Sequence, residues 1–178
     1  MSDAPGLPLR TGRLLLRPLE AADLDAALLV VGDPRVSRFV GDGRLWDAAY
    51  AASWLIRARA HFAAHGFGSL AVEEIATGRT VGEAGLIVLE GGPGVEVSYT
   101  RAYDAWGRGY ATEAARAVLG WGFGSLGWKG SSRSSIRRTS FRGASSRSWT
   151  APSRPLAHYG ADLLKCELTA GEWREGTS

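Results

Sequence analysis

The chain has 178 residues, 45% apolar and 22% charged, enough for one domain with a substantial core and too few for two ordinary ones. Its single cysteine, Cys166, excludes an internal disulfide and any multi-cysteine metal site. The net charge of +3 is uneven: residues 1–127 carry 12 Arg and Lys against 14 Asp and Glu, residues 128–155 carry 7 basic side chains and no acid, and residues 156–178 are acidic again.

Pro5-Gly6, Pro8 and Gly12 break the first twelve residues, so no secretory leader is expected there. No apolar run reaches membrane-spanning length, and a cytoplasmic location is the default for a chain with one cysteine. Arg13-Leu14-Leu15-Leu16-Arg17, closed by Pro18, predicts a first strand. Asp23 to Val31 has helical apolar spacing and stops before the turn signal Gly32-Asp33-Pro34. Asp47 to His65 predicts a longer helix ended by Gly66, with Tyr50, Trp54, Leu55, Ala58 and Phe62 on its inner face. His61 and His65 read as surface side chains of that helix, because Phe62 stands where a zinc-protease motif needs a glutamate; no metal site is expected.

The period then changes. Phe67 to Ile75 and Val81 to Leu89 predict a hairpin around Ala76-Thr77-Gly78-Arg79, and Gly91-Gly92-Pro93-Gly94 a second turn. Val95 to Thr100 alternates, with Val95, Val97 and Tyr99 facing one way and Glu96, Ser98 and Thr100 the other. After a loop, a helix is predicted from Ala111 to Phe123, its inner face holding Ala111, Ala115, Val118, Leu119 and Gly122. Ala161 to Leu168 reads as a terminal strand.

The stretch that carries chemistry is Trp106-Gly107-Arg108-Gly109-Tyr110-Ala111-Thr112-Glu113-Ala114, between a strand and a helix. Glycines let backbone approach a ligand closely, and the first N–H groups of a helix are donors without intrahelical acceptors, in a region of partial positive charge. Such a turn suits a pyrophosphate, with Arg108 adding a full charge; an ordinary loop is the competing reading. The Lys-Ser/Thr pair of a P-loop and a GxGxxG after a first strand are both missing.

Thr11-Gly12-Arg13-Leu14-Leu15-Leu16-Arg17-Pro18, Val81-Gly82-Glu83-Ala84-Gly85-Leu86, Val95-Glu96-Val97-Ser98-Tyr99 and Trp106 to Ala114, in this order, resemble the GNAT superfamily of N-acetyltransferases. Within it the match is to the RimJ/RimL-like branch, which acetylates ribosomal-protein N-termini. The resemblance implies a single α+β domain over residues 8–173, a three-layer α-β-α fold with a mixed, mostly antiparallel central sheet and helices on both faces. It implies acetyl-CoA as cosubstrate, entering where two central strands splay, with pantetheine against Val97, Ser98 and Tyr99 and pyrophosphate on Arg108 to Thr112. The cofactor-binding expectation therefore covers Val97, Ser98, Tyr99, Trp106, Gly107, Arg108, Gly109, Tyr110, Ala111 and Thr112. The acceptor it implies is a primary amine, on a small molecule or a protein N-terminus. Transfer needs a neutral amine, and Glu96 is the best candidate to remove its proton; a solvated or ion-paired strand residue is the competing reading. Tyr99 is weaker as a general acid than as a core aromatic. Trp46, Trp54 and Phe67 are candidates for an acceptor pocket or, more simply, for the core. A non-catalytic acyl-CoA-binding or ribosome-binding module is the alternative of a different class. Monomer and homodimer both remain open.

Residues 128–155 depart from the family pattern. They hold nine serines and six arginines where a buried strand, an Asn-x-x-Ser element and a helix are expected. Three readings compete: a basic insert without a core, a nucleic-acid contact, and a frame-shifted translation. A shift by one base turns TCN serine codons into Phe, Leu, Ile or Val and CGN arginine codons into small residues or proline. Ser131-Ser132-Arg133-Ser134-Ser135 then becomes an apolar strand, which favours the third reading over a nucleic-acid partner. The chain as written is accordingly expected to lack that central strand or to build it from serines and arginines, and to be weakly active or inactive.

Overall fold

Backbone pairing and side-chain alternation together fix which residues meet the cleft. The computed structural model describes residues 4–41, 43–88 and 95–128 in full, with the backbone of strands at 136–139, 153–158 and 161–168. Eight strands form one sheet: β1 (Leu9–Arg10), β2 (Leu14–Pro18), β3 (Ser69–Glu74), β4 (Arg79–Val88), β5 (Val95–Arg101), β6 (Ile136–Thr139), β7 (Ser153–His158) and β8 (Ala161–Leu168). Their order is β1-β2-β3-β4-β5-β6-β8-β7. The pairing of β5 with β6 is parallel and the other pairings are antiparallel. The helices are α1 (Leu24–Val31), the single turn α2 (Pro34–Ser37), α3 (Ala48–His65) and α4 (Tyr110–Gly124).

Both ends of α3 and the start of α2 have a chemical cause. The Asp47 carboxylate accepts the Tyr50 N–H at the start of α3, and Gly66, at φ 73°, lets the chain leave it in the left-handed region. The Gly32-Asp33-Pro34 turn signal opens a further helical turn: Asp33 accepts the Arg35 N–H, and Pro34 has no N–H to leave unpaired.

Alternation on β3 separates the layers. Leu70 and Val72 join Leu14, Leu16, Leu86, Val97, Ala114 and Val118 in the main core beneath α4. Ala71, on the opposite face, packs with Leu19 and Leu55, and Trp54 and Ala58 of α3 close over it. Helices thus cover both faces, as the α+β three-layer expectation requires. The buried stripe of α3 is Ala51, Leu55 and Phe62, whereas Tyr50 is 47% exposed. Tyr50 belongs one position off that stripe and stacks edge-on against Trp46, at 4.8 Å between ring centroids.

The missing-strand expectation is corrected in part. Four residues, Ile136–Thr139, form β6 between β5 and β8. A ladder is made by backbone groups, so the Ile-Arg-Arg-Thr sequence does not prevent it. The second turn at 91–94, and the part of 128–155 where the family pattern expects a helix, lie outside the described residues.

His61 is also more than a surface side chain. Its Nε2 lies 3.1 Å from the Val88 N–H nitrogen and accepts from it, which leaves Nδ1–H to donate to the Phe67 carbonyl at 3.1 Å. The neutral ring thereby ties α3 to the segment before β3 and to the end of β4. Burial, aided by the nearby His65, holds its pKa below the ordinary 6.5. With the folded value depressed, the stabilisation is fully present above 6.5 and is lost as pH falls through the folded value. Replacement His61→Ala should cost about 1–2 kcal/mol at pH 8 and flatten the loss of melting temperature between pH 7 and 5, measured by thermal unfolding. An unchanged acid limb in the variant would assign that limb to other groups.

Candidate functional site

β5 runs directly into the glycine-rich turn. After a short 3-10 turn at Tyr103–Ala105, Gly107 (φ 75°) and Gly109 (φ 77°) both adopt left-handed backbone, and Gly109 is the N-cap of α4. Glycine reaches that region without the steric cost of a Cβ. No side chain caps the helix, so the amides of its first turn have no side-chain acceptor at the N-cap. A Cβ added at Gly107 would meet nothing within 4 Å, and one at Gly109 would meet only Arg13 Nη2 at 3.5 Å. Space beside the turn is therefore open, as an anion cradle requires.

The side chains around the turn are held by two carboxylates. Arg108 Nη1 donates to Glu74 Oε1 at 2.9 Å, and the Tyr110 hydroxyl donates to the same oxygen. Bonds from Tyr110 and Thr77, with the Arg108 charge, hold the Glu74 carboxyl below its usual range. Arg108 is thus paired with Glu74, and Tyr110, 7% exposed, can offer an incoming group its backbone rather than its ring. The second carboxylate, Glu113, accepts from Thr11 Oγ1 at 2.6 Å, from the Arg13 N–H at 3.0 Å and from Arg13 Nε at 2.7 Å. Arg13 Nη1 also donates to the Arg108 carbonyl at 2.8 Å, and its guanidinium lies 4.7 Å from the Tyr110 ring centroid. Sequence reasoning noted Thr11-Gly12-Arg13 and Glu113 only as motif residues; their meeting across about a hundred positions is visible only in the fold.

The other half of the candidate site is β5. Its ladder with β6 pairs Val95↔Ile136, Glu96↔Arg137 and Val97↔Arg138 and stops there, although β6 continues to Thr139. Among the described residues, Ser98 to Arg101 pair with β4 on one side only. Val97 is buried in the main core, and Val95 and Tyr99 pack against it, which makes Tyr99 a core-facing aromatic. Glu96 and Ser98 alternate to the opposite face, and Ser98 Oγ donates to Glu83 Oε1 at 3.1 Å. Trp106 Nε1 donates to the Arg101 carbonyl at 3.0 Å, fixing the start of the glycine turn. Ala111 and Thr112 lie in the first turn of α4, half-buried.

The three candidate acceptor aromatics do not converge. Trp46 and Trp54 meet at 5.7 Å, while Phe67 packs edge-on against Trp128 at 5.0 Å beside the main core. Two charged residues, the half-buried Glu83 and the buried Arg101, were missed by sequence reading. Glu83 lies on β4 and Arg101 ends β5, and Arg101 Nη1 donates to the carbonyls of Glu83 and Thr100. Burial lowers the Arg101 pKa to about 10, which still leaves it protonated near neutral pH.

The sequence matches the family described as "Acetyltransferase (GNAT) domain" over residues 13–138. The uncharacterized protein YkkB of Bacillus subtilis is 31% identical over 116 residues, which span 64% of this chain and 66% of YkkB. The acetyltransferase of Agrobacterium tumefaciens superposes with a TM-score of 0.69 at 28% identity, covering 88% of this chain and 91% of that one. Mycobacterium smegmatis RimJ in complex with CoA-disulfide shares the fold at a TM-score of 0.67 and 20% identity, covering 94% of this chain and 90% of that one.

Glu113 generates a test of the clamp that holds the turn. Burial pushes its pKa up, but bonds from Thr11 and Arg13 outweigh this and hold the carboxyl below its usual 4.5. The stabilisation is therefore present above 4.5 and lost as pH falls through the folded value. Replacement Glu113→Ala should cost about 1–3 kcal/mol in urea unfolding at pH 7, and less at pH 3. An equal cost at both pH values would contradict an ionised clamp.

Proposed function

Since this chain belongs to the GNAT acetyltransferase family, we propose that it moves an acetyl group from acetyl-CoA to a primary amine, with a protein N-terminal amine as one acceptor class. The observation that carries this reading is the end of the β5–β6 ladder at Val97, followed further along the chain by the turn at Gly107–Thr112, which has no side-chain cap. Beyond Val97, the β5 backbone can pair with the amides of pantetheine as a further strand would. The glycine turn and the first amides of α4 suit a pyrophosphate. Acetyl-CoA supplies the activated acyl group; the chain's own residues bind, orient and handle protons.

In this reading Val97, Ser98 and Tyr99 act through their backbone, which fits the burial of Val97 and the packing of Tyr99. Gly107, Gly109, Ala111 and Thr112 act through their amides. Trp106 positions the turn through its bond to Arg101, and Arg108 and Tyr110 do so through Glu74. Glu96, one residue before the ladder ends, takes the proton from the acceptor ammonium, and the neutral amine nitrogen then attacks the thioester carbon. The C–S bond then breaks, and the thiolate leaves as the thiol with the second N–H proton of the attacking nitrogen.

Two variants separate binding from chemistry. Glu96→Gln should lower turnover by about 100-fold or more while CoA affinity changes little, followed by thiol release with a panel of amines and N-terminal peptides. Turnover equal to wild type would remove Glu96 from the mechanism. Gly109→Val places a β-branched residue at φ 77° and should weaken CoA binding by at least about tenfold in calorimetry. Equal affinity in a folded variant would move the cofactor elsewhere.

A further inference from the structure

Glu83 on β4 is half-buried, with one carboxylate oxygen fully enclosed. Register places Glu83 opposite Thr100 and Gly85 opposite both Ser98 and Ser69, so these polar side chains share one face of β3, β4 and β5. That face is the one turned away from α4, since Ala84 and Leu86 occupy the other. Ser98 Oγ donates to Glu83 Oε1 at 3.1 Å, and Ser69 and Thr100 flank the carboxylate on the same face. Glu83 Oε2 is enclosed yet has no hydrogen-bond partner. Leaving a buried carboxylate oxygen unpaired is costly, so such an atom calls for an explanation.

A closed ion pair is not that explanation. Arg101 spends its Nη1 on two backbone carbonyls, and its Nε and Nη2 are themselves buried without partners. Arg101 is the charged group whose field acts on Glu83 among the described residues. Burial outweighs it and pushes the carboxyl up from the ordinary 4.5. The location of Ser98 supplies the missing link. It is the first β5 residue past the end of the β6 ladder, and Glu96 precedes it on the same face. Glu83 therefore lies one hydroxyl behind the edge of the proposed cleft.

We propose that Glu83 is a positioning residue for deprotonation of the acceptor amine, acting through Ser98. This rests on the acetyl-transfer reading above and adds a second outlet for the proton beside Glu96. The Glu83 carboxylate accepts the Ser98 O–H, which turns the Ser98 lone pairs toward the cleft to accept an ammonium N–H. The ammonium proton passes to Ser98 Oγ as the Ser98 proton passes to Glu83, and the neutral amine nitrogen then bonds to the thioester carbon. The second N–H proton goes to the sulfur as the C–S bond breaks. Glu83 returns its proton to solvent through Ser98 between turnovers.

The test combines kinetics with a readout that does not need turnover. In wild type, Glu83→Gln, Ser98→Ala and the double variant, pH–rate profiles for acetyl transfer to N-terminal peptides are compared with CoA affinity from calorimetry. Glu83→Gln and Ser98→Ala should each lower kcat by about 10- to 100-fold. Both should displace the acid limb of the profile and leave CoA affinity unchanged, and the double variant should be no worse than the poorer single one. Superimposable profiles, or losses that multiply in the double variant, would overturn the proposal. Carboxyl-carbon NMR of glutamate-labelled protein, assigned by the resonance lost in Glu83→Gln, should show Glu83 titrating above ordinary glutamates and moving further up in Ser98→Ala. Should wild type transfer nothing to any amine, the function reading fails. A Glu83 resonance that still responds to Ser98→Ala then sustains the coupled pair, and one in the ordinary range that ignores Ser98 overturns it.

Discussion

A strand inside a sheet must satisfy its backbone groups on both sides, and among the described residues β5 does so with β6 for three residue pairs. Much of the rest of the molecule bears on this constraint. β5 is held on its other side along its full length by β4, from Val88↔Val95 to Gly82↔Arg101. The strand therefore keeps its shape where β6 leaves it. Among the described residues Ser98 to Arg101 have no strand on that side, although the Thr100 and Arg101 carbonyls take Arg101 Nη1 and Trp106 Nε1, and such an edge invites a further extended chain to pair with it, as a pantetheine arm can.

The second constraint is that the glycine turn must stay where β5 delivers it. Two buried or half-buried carboxylates do this, one at the end of β3 and one in α4. Glu74, at the end of β3, gathers Arg108, Tyr110 and Thr77. Glu113, in the first turn of α4, gathers Thr11 and Arg13 from the loop before β2. Together they lock the N-terminus of α4 to the sheet without drawing on the N–H groups of the turn, so among the described residues the first amides of α4 meet no side-chain acceptor. The turn is preorganised and still open.

Much of the frame was legible in the sequence because local chemistry decides it. Asp47 and Gly66 bracket α3, the period-two pattern of Val95 to Thr100 assigns Tyr99 to the core side, and Ala161 to Leu168 is a strand over the span its pattern implies. What could not be read depends on long-range placement. Tyr50 missed the core by one position on a helix whose buried stripe is set by Ala51 and Leu55. The pairing of Arg108 with Glu74, the Arg13–Glu113 clamp and the Ser98–Glu83 bond each join different elements, and no spacing rule announces them. β6 was expected either to be lacking or to be built from serines and arginines, because Ile-Arg-Arg-Thr has none of the alternation that predicts a buried strand, and the parallel ladder depends only on its backbone.

The central claim is that the free edge of β5 and the first turn of α4 form one continuous CoA site. Amide hydrogen exchange with and without CoA tests it most directly. Added CoA should slow exchange in peptides covering Ser98–Arg101 and Gly107–Thr112 together, with little change in β3. Slowing in neither segment, or in one without the other, would contradict the account.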